Sequence, residues 1–185
     1  DYCRQRVMEM HGVERDHAKV LFTLLLYGGS YRHRVKEWGR VGLDAELIPA
    51  VKRLEAELKV LRDAALARAE LKLLVEPIFG AELKRKSNFD KDRLKTPEEA
   101  KRSTWSQITQ MWEDEALVSI QKAVAAQGLV VHSLMFDGLM VYHDPSVDLQ
   151  SAMGAATNRI LEDTGMTLAL EEKDLFDQAR TDALV

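Results

Sequence analysis

The chain of 185 residues and 21.0 kDa has the length of one ordinary domain and can bury a sizeable core. A hydrophobic content of 46% beside 30% charged residues, with ten glycines and four prolines, excludes disordered and collagen-like classes. The net charge of −4 is spread unevenly: residues 1–43 and 81–104 each carry +3, whereas residues 105–185 carry −9. This asymmetry fits a polyanion-binding surface beside a metal-binding one, and it fits solvated faces of mixed charge equally well.

Cysteine content and hydropathy limit the cellular compartments in which the protein is expected. The single cysteine, Cys3, cannot form an internal disulfide or a thiolate zinc finger, so we expect the cytoplasm or another reducing intracellular compartment. The longest apolar runs, such as residues 20–27, are shorter than the roughly 18 residues of a membrane span, and no membrane partner is expected. The chain begins with neither a methionine nor a basic-then-apolar leader, from which we expect it to be a piece of a longer one.

The first part of the chain predicts two helices. Residues 12–26 repeat apolar side chains on one helical face, and the glycines at 28–29 are suited to a helix end. Residues 30–38 predict a second, more polar helix.

A heptad-like stripe of leucine, valine and alanine predicts one long helix over residues 44–76, capped by Asp44 and ended at Pro77. Packing against a partner helix explains such a stripe. Residues 84–95 have no sustained apolar period and predict a mobile basic loop.

The remaining chain predicts helix and a small sheet. Thr96 is placed to cap a helix that runs to about residue 127, with a break near 105–108. Two apolar runs within 129–142, joined by Asp137-Gly138, predict an antiparallel hairpin. A helix over 145–163 and a third strand near 166–171 complete an α+β fold that is mostly helical.

The helix over 12–26 carries a candidate phosphate-binding face. Arg15 and Lys19 are four residues apart and hence one turn apart on one face, and Tyr27 lies two turns further along, followed by Gly28. Two such cations can hold a polyphosphate, the guanidinium by a fork and the ammonium as a point charge. An ordinary solvated pair of surface cations is the alternative.

Asp137 is the second candidate. A carboxylate at the end of a hairpin is held rigidly and can bind a hard cation such as Mg²⁺. The alternative is that Asp-Gly serves the turn alone, since a two-residue turn selects that dipeptide for its backbone. Because both strands are apolar on both faces, we expect the turn to lie within a covered sheet.

Two segments together resemble one family. Residues 15–28, RDHAKVLFTLLLYG, resemble the fingers-helix motif of family A DNA polymerases and, more distantly, of single-subunit phage-type RNA polymerases, in which Arg, Lys and Tyr-Gly recur at these intervals. Residues 135–141, MFDGLMV, are similar to the palm hairpin of the same enzymes. The order of the two motifs agrees as well, and residues 165–171 resemble the family's closing strand.

The resemblance implies an incomplete right-hand polymerase, a template-directed nucleotidyltransferase. It implies a fingers-like helical region at 1–104, which includes the helix over 44–76 and the loop over 84–95. It also implies a palm-like region at 105–185 with the hairpin over 129–142. The implied partners are primer-template DNA, deoxynucleoside triphosphates and the remainder of the polymerase chain or a partner subunit, and the source could be viral or phage.

The resemblance also assigns the candidate residues. Arg15 and Lys19 would bind the triphosphate of the incoming nucleotide, and Tyr27 with Gly28 would adjoin the nascent base pair. Thr23 stands where the family has the Phe or Tyr that lies by the sugar. By the same resemblance Gln107 would contact nucleic acid. Arg85 and Lys86 lie outside the resemblance; their charge is suited to nucleic-acid phosphates, and a solvated basic loop is the alternative.

Asp137 would be the catalytic residue that holds Mg²⁺ or Mn²⁺. The family's second palm aspartate lies well upstream of the fingers helix, but only fourteen residues precede Arg15. The chain alone is therefore expected to be inactive. Phe136 and Gly138 depart from the family pattern, so a non-catalytic nucleic-acid-binding module derived from a polymerase and a helical interaction protein remain alternatives.

Overall fold

The computed structural model describes residues 2–39, 47–135, 138–142 and 144–172. Within them the fold is α+β. The helices are α1 (Tyr2–His11), α2 (Arg15–Leu26), α3 (Tyr31–Glu37), α4 (Pro49–Leu66), α5 (Lys72–Leu83), α6 (Pro97–Ala126) and α7 (Leu149–Thr164), and the strands are β1 (Val131–Met135) and β2 (Gly138–Val141). The chain divides into two compact units, residues 1–110 and 111–185.

The core of the first unit forms around one face of α2. Ala18, Leu21 and Leu25 are buried there at helical spacing, against side chains from α1, α3 and α4. Burial of a leucine side chain is worth about 2 kcal/mol, so this face fixes the orientation of α2. The helices predicted over 12–26 and 30–38 are confirmed as α2 and α3.

The single helix predicted over 44–76 is wrong. α4 ends at Leu66 and α5 begins at Lys72, with a 3₁₀ turn at Ala69–Leu71 between them. Pro77 lies inside α5 instead of ending a helix.

The apolar stripe of α4 stops contributing to the core after Leu58. The next buried position of α4 is Arg62, whereas Leu61 is 63% exposed. Arg62 donates to Asp63 at 2.9 Å and to Glu98 of α6 at 2.8 Å, so an ion pair replaces apolar packing at this point. Asp44, the predicted cap, lies outside the described residues.

α6 begins at Pro97, and Thr96 caps it as predicted. The Thr96 hydroxyl accepts from the backbone N–H of Glu99 at 3.3 Å, and the Glu99 carboxylate accepts from the N–H of Thr96 at 2.7 Å, a reciprocal capping box. The break predicted near 105–108 is absent from the described helix, because Thr104 and Ile108 are buried on one face and hold that stretch in place.

The second unit contains the hairpin, α7 and the end of α6 around a separate apolar core. β1 and β2 pair antiparallel, which confirms the predicted hairpin. Since Met135 pairs with Gly138, Gly138 belongs to a strand, and the residues between the paired ends are Phe136 and Asp137, both outside the described residues.

Two expectations for the second unit are wrong within the described residues. The sheet has two strands, and residues 166–170 form none; Met166 and Leu170 pack on the apolar core, which accounts for their alternation. The sheet is also not covered on both faces, because Leu134 is 53% exposed.

α7 starts later than predicted. The Asp148 side chain accepts from the N–H of Gln150 and caps the helix at Leu149, four residues after Pro145. In the described part of the chain, no helix combines the length and apolarity needed to cross a membrane.

Candidate functional site

The exposed side of α2 forms the candidate site. Lys19, Thr23 and Tyr27 follow one another at four-residue spacing and line one open depression of about 450 Å³. This side is opposite the buried face of α2, so the same helix that anchors the core exposes Lys19 and Thr23, while Tyr27 is half-buried.

The depression is lined by charges of both signs. Lys19 and Arg34 of α3 line it together with one acid, Asp16. Arg15 is exposed one turn before Lys19 but does not line the depression. In residues 2–39 and the other described ranges, neither the Arg15 nor the Lys19 side chain forms an ion pair, so both cations are available to an anionic ligand.

Arg34 is the site residue that the sequence analysis missed. Its Nη1 donates to Glu37 at 2.8 Å, while its Nε is buried and has no hydrogen-bond partner within the described ranges. A buried donor without an acceptor costs about 1–3 kcal/mol. Because this Nε is buried, a bound anion would meet the exposed part of the Arg34 side chain, which is 24% exposed and paired with Glu37. A single-helix periodicity could not relate Arg34 to Lys19, because the two lie on different helices.

The end of α2 is held in a defined geometry. Gly28 has φ +83°, and the N–H groups of Gly28 and Gly29 donate back to Leu25 at 3.0 Å and Leu24 at 2.7 Å, a Schellman motif. The indole N–H of Trp105 in α6 donates to the Leu26 carbonyl at 2.8 Å. These bonds fix the backbone on both sides of Tyr27, and they give Gly28 a structural reason to be glycine.

Thr23 contributes a short polar side chain to the depression. Its hydroxyl donates to the carbonyl of Lys19 at 3.4 Å and is exposed. The hydroxyl oxygen keeps its capacity to accept a hydrogen bond, so Thr23 can accept one from a sugar hydroxyl.

The three residues expected to contact nucleic acid have partners inside the first unit. Arg85 donates to Glu82 at 2.7 Å, and the Gln107 amide donates to the same carboxylate at 2.8 Å. Lys86 donates to the Asp92 carbonyl at 3.2 Å but remains exposed. Of the three, Lys86 is therefore the best placed for an external phosphate.

Glu82 is the centre of a buried ionic cluster. Its side chain is 2% exposed and accepts hydrogen bonds from Lys95, Arg85 and Gln107. Burial raises the pKa of this carboxyl, but the bonds from Lys95 and Gln107 and the charges of Lys95 and Arg85 outweigh burial and lower the pKa overall. Glu82 is thus ionised and holds α5, the following loop and α6 together.

The predicted metal ligand Asp137 lies outside the described residues. Among the residues that the structure does describe, no group of three or more His, Cys, Asp or Glu side chains is arranged to hold a metal ion. The described side chains therefore do not form a complete metal centre.

Comparison with known proteins adds no family assignment. No protein-family model, no curated protein and no solved structure matches this chain.

Proposed function

We propose that the exposed side of α2 binds the triphosphate of a nucleoside triphosphate, as part of a template-directed nucleotidyltransferase of the DNA polymerase type. One observation carries the proposal: Lys19, Thr23 and Tyr27 line a single depression to which Arg34 adds a second cation. In this proposal Lys19 and Arg34 would bind the phosphates, and Tyr27 would adjoin the base or sugar.

Each side chain has a distinct role in this proposal. Lys19 acts as a point charge on the phosphates, and Arg34 adds a second guanidinium charge that it shares with Glu37. Arg15, one turn before Lys19, extends the cationic row along the helix. Phosphoryl transfer depends mainly on positioning and charge neutralisation, which are the properties that this row supplies.

Incorporation of nucleotides requires more than this face. Asp137 is the carboxylate proposed to hold Mg²⁺ or Mn²⁺, and a bound metal would neutralise phosphate charge and activate a primer hydroxyl. A second carboxylate and the primer-template would come from the remainder of the polymerase or from a partner subunit. The present chain is therefore proposed to bind nucleotide without completing the reaction alone.

The test is a calorimetric titration of the full chain with dATP at low salt, without metal. Removing two exposed cations costs about 1 kcal/mol each, so the Arg15→Ala, Lys19→Ala double variant should bind at least about tenfold more weakly. Inorganic triphosphate should compete with dATP, because the phosphates provide the binding contacts.

A matched control separates the site from general charge. Lys52 and Arg53 are exposed cations on α4 outside the depression, and the Lys52→Ala, Arg53→Ala double variant should keep wild-type affinity. Equal affinity of the α2 variant and the wild type would remove the proposal, and equal weakening of both variants would reduce it to non-specific attraction.

A further inference from the structure

The loop between α5 and α6 exposes an aromatic ring with cations beside it. Phe89 is 57% exposed, although its size would favour burial. The guanidinium carbon of Arg102 in α6 lies 5.8 Å from the ring centroid, within the range of a cation–π contact. The ring of His33 in α3 meets Phe89 edge-on, with centroids 5.0 Å apart. Three separate segments therefore fix the ring at the surface.

The backbone that carries Phe89 is anchored to buried groups. The N–H of Phe89 donates to the Ser87 hydroxyl at 3.1 Å, and that hydroxyl donates to Glu99 at 2.7 Å. Glu99 also accepts two bonds from Arg93, at 2.7 and 3.0 Å. Because Ser87 is fully buried and Glu99 nearly so, hydrogen bonds to buried groups anchor the loop that the sequence predicted to be mobile.

The cations of the loop divide into two sets. Arg85, Arg93 and Lys95 neutralise buried carboxylates. Lys86 and Lys91 are exposed near Phe89 in the chain, and neither forms an ion pair in the described part of the chain. Two exposed acids lie in the same stretch: Asp90 is 3.8 Å from Arg93, and Asp92 forms no ion pair within the described ranges. The two lysines therefore exceed the unpaired acid beside the ring by one positive charge.

Arg102 connects this surface with the end of α2. Its Cγ lies 3.5 Å from the position that a Cβ on Gly28 would occupy. The same side chain thus packs against the glycine after Tyr27 and against Phe89, so the ring lies on the side of the unit where α2 ends.

We propose that Phe89 is a stacking platform for a base of single-stranded nucleic acid whose phosphates are bound by Lys86 and Lys91. This inference rests on the proposed function in one respect, since the strand would be the unpaired template that approaches the nucleotide on α2. A π face flanked by cations is the arrangement that binds single strands irrespective of sequence. The exposed large apolar side chains of the loop are Phe89 and Leu94, too few for a protein-binding patch.

The test measures the anisotropy of a fluorescently labelled oligothymidylate on titration with the full chain. Loss of one stacked base should weaken binding about fivefold or more in Phe89→Ala. Phe89→Tyr should keep wild-type affinity, whereas Phe89→Leu, which retains apolar area without a π face, should bind as weakly as Phe89→Ala.

Leu94→Ala is the matched control, because Leu94 is 53% exposed in the same loop. Wild-type affinity in Leu94→Ala supports the inference. Unchanged affinity in Phe89→Ala, or equal weakening in Leu94→Ala, would overturn it.

The contribution of Lys86 and Lys91 is tested by the salt dependence of oligonucleotide binding. Loss of two phosphate contacts should reduce the slope of log affinity against log salt by about 1.4 in the Lys86→Ala, Lys91→Ala double variant. An unchanged slope would overturn their part of the inference.

A parallel dATP titration separates this inference from the proposed function. Phe89→Ala should bind dATP like the wild type. If Phe89 supports oligonucleotide binding but the wild type binds no dATP, the nucleotide proposal fails and the platform stands. If dATP binds through α2 but Phe89→Ala leaves oligonucleotide binding unchanged, the stacking platform fails and the nucleotide proposal stands.

Discussion

Replacing Lys95 by methionine should destabilise the first unit more than any surface charge change. The Lys95 side chain is 7% exposed and pairs with Glu82, whose side chain is 2% exposed. Removing one member of a buried ion pair costs about 3–5 kcal/mol, because the other charge stays buried. We expect about 3 kcal/mol, the lower end, because Arg85 and Gln107 still donate to Glu82.

Urea unfolding followed by circular dichroism measures this change in unfolding free energy directly. The midpoint temperature of thermal unfolding should fall by about 6–12 °C. The Glu82→Gln, Lys95→Met double variant removes both charges, and it should recover a large part of the lost stability. A Lys95→Met variant within about 0.5 kcal/mol of the wild type would refute the argument that this cluster holds α5, the loop and α6 together.

The same pair predicts a pH dependence. Because the pKa of Glu82 is lowered in the folded state, its contribution is present above its unfolded pKa of about 4.3 and is lost as the pH falls through the folded pKa. The difference in unfolding free energy between wild type and Lys95→Met should therefore shrink at pH values below about 4. A difference that is constant from pH 7 to 3 would contradict this cause.

Three further changes are expected to alter stability, each measured by urea unfolding. Gly29→Ala should destabilise by more than 2 kcal/mol, because the added Cβ would lie 2.8 Å from the Leu24 carbonyl oxygen. Gly80→Ala should be neutral or stabilising, because no atom lies within 4 Å of the added Cβ. Equal effects of the two substitutions would contradict this reasoning. Thr96→Ala should cost about 1 kcal/mol through loss of the cap, and no loss would contradict the capping box. Tyr31→Phe should cost about 2 kcal/mol, because the hydroxyl bonds two buried groups; a neutral result would contradict that bonding.

Local patterns were sufficient to predict α2 and the hairpin. The four-residue spacing of Lys19, Thr23 and Tyr27 sets their common side, and no distant contact is needed to establish it. Apolar runs around an Asp-Gly pair likewise predict an antiparallel pairing, although the register moves Gly138 into β2.

The features that the sequence did not predict depend on contacts between residues that are distant in the chain. The division of the 44–76 segment follows buried Arg62, whose partner Glu98 is 36 residues away. The order of the loop depends on Glu99, which resembles a surface residue of a first helical turn in the sequence. Arg34 lines the depression because α3 packs beside α2. The spacing of residues within one helix cannot predict such packing between helices.

The most direct test of the nucleotide proposal is an NMR titration of the isotope-labelled chain with dATP, without metal. The proposal predicts that the largest chemical-shift changes occur at Lys19, Thr23, Tyr27 and Arg34, and that the Arg34 Nε–H signal moves with them. Saturable binding with the largest changes elsewhere, or no change at millimolar dATP, would contradict the assignment of nucleotide binding to α2.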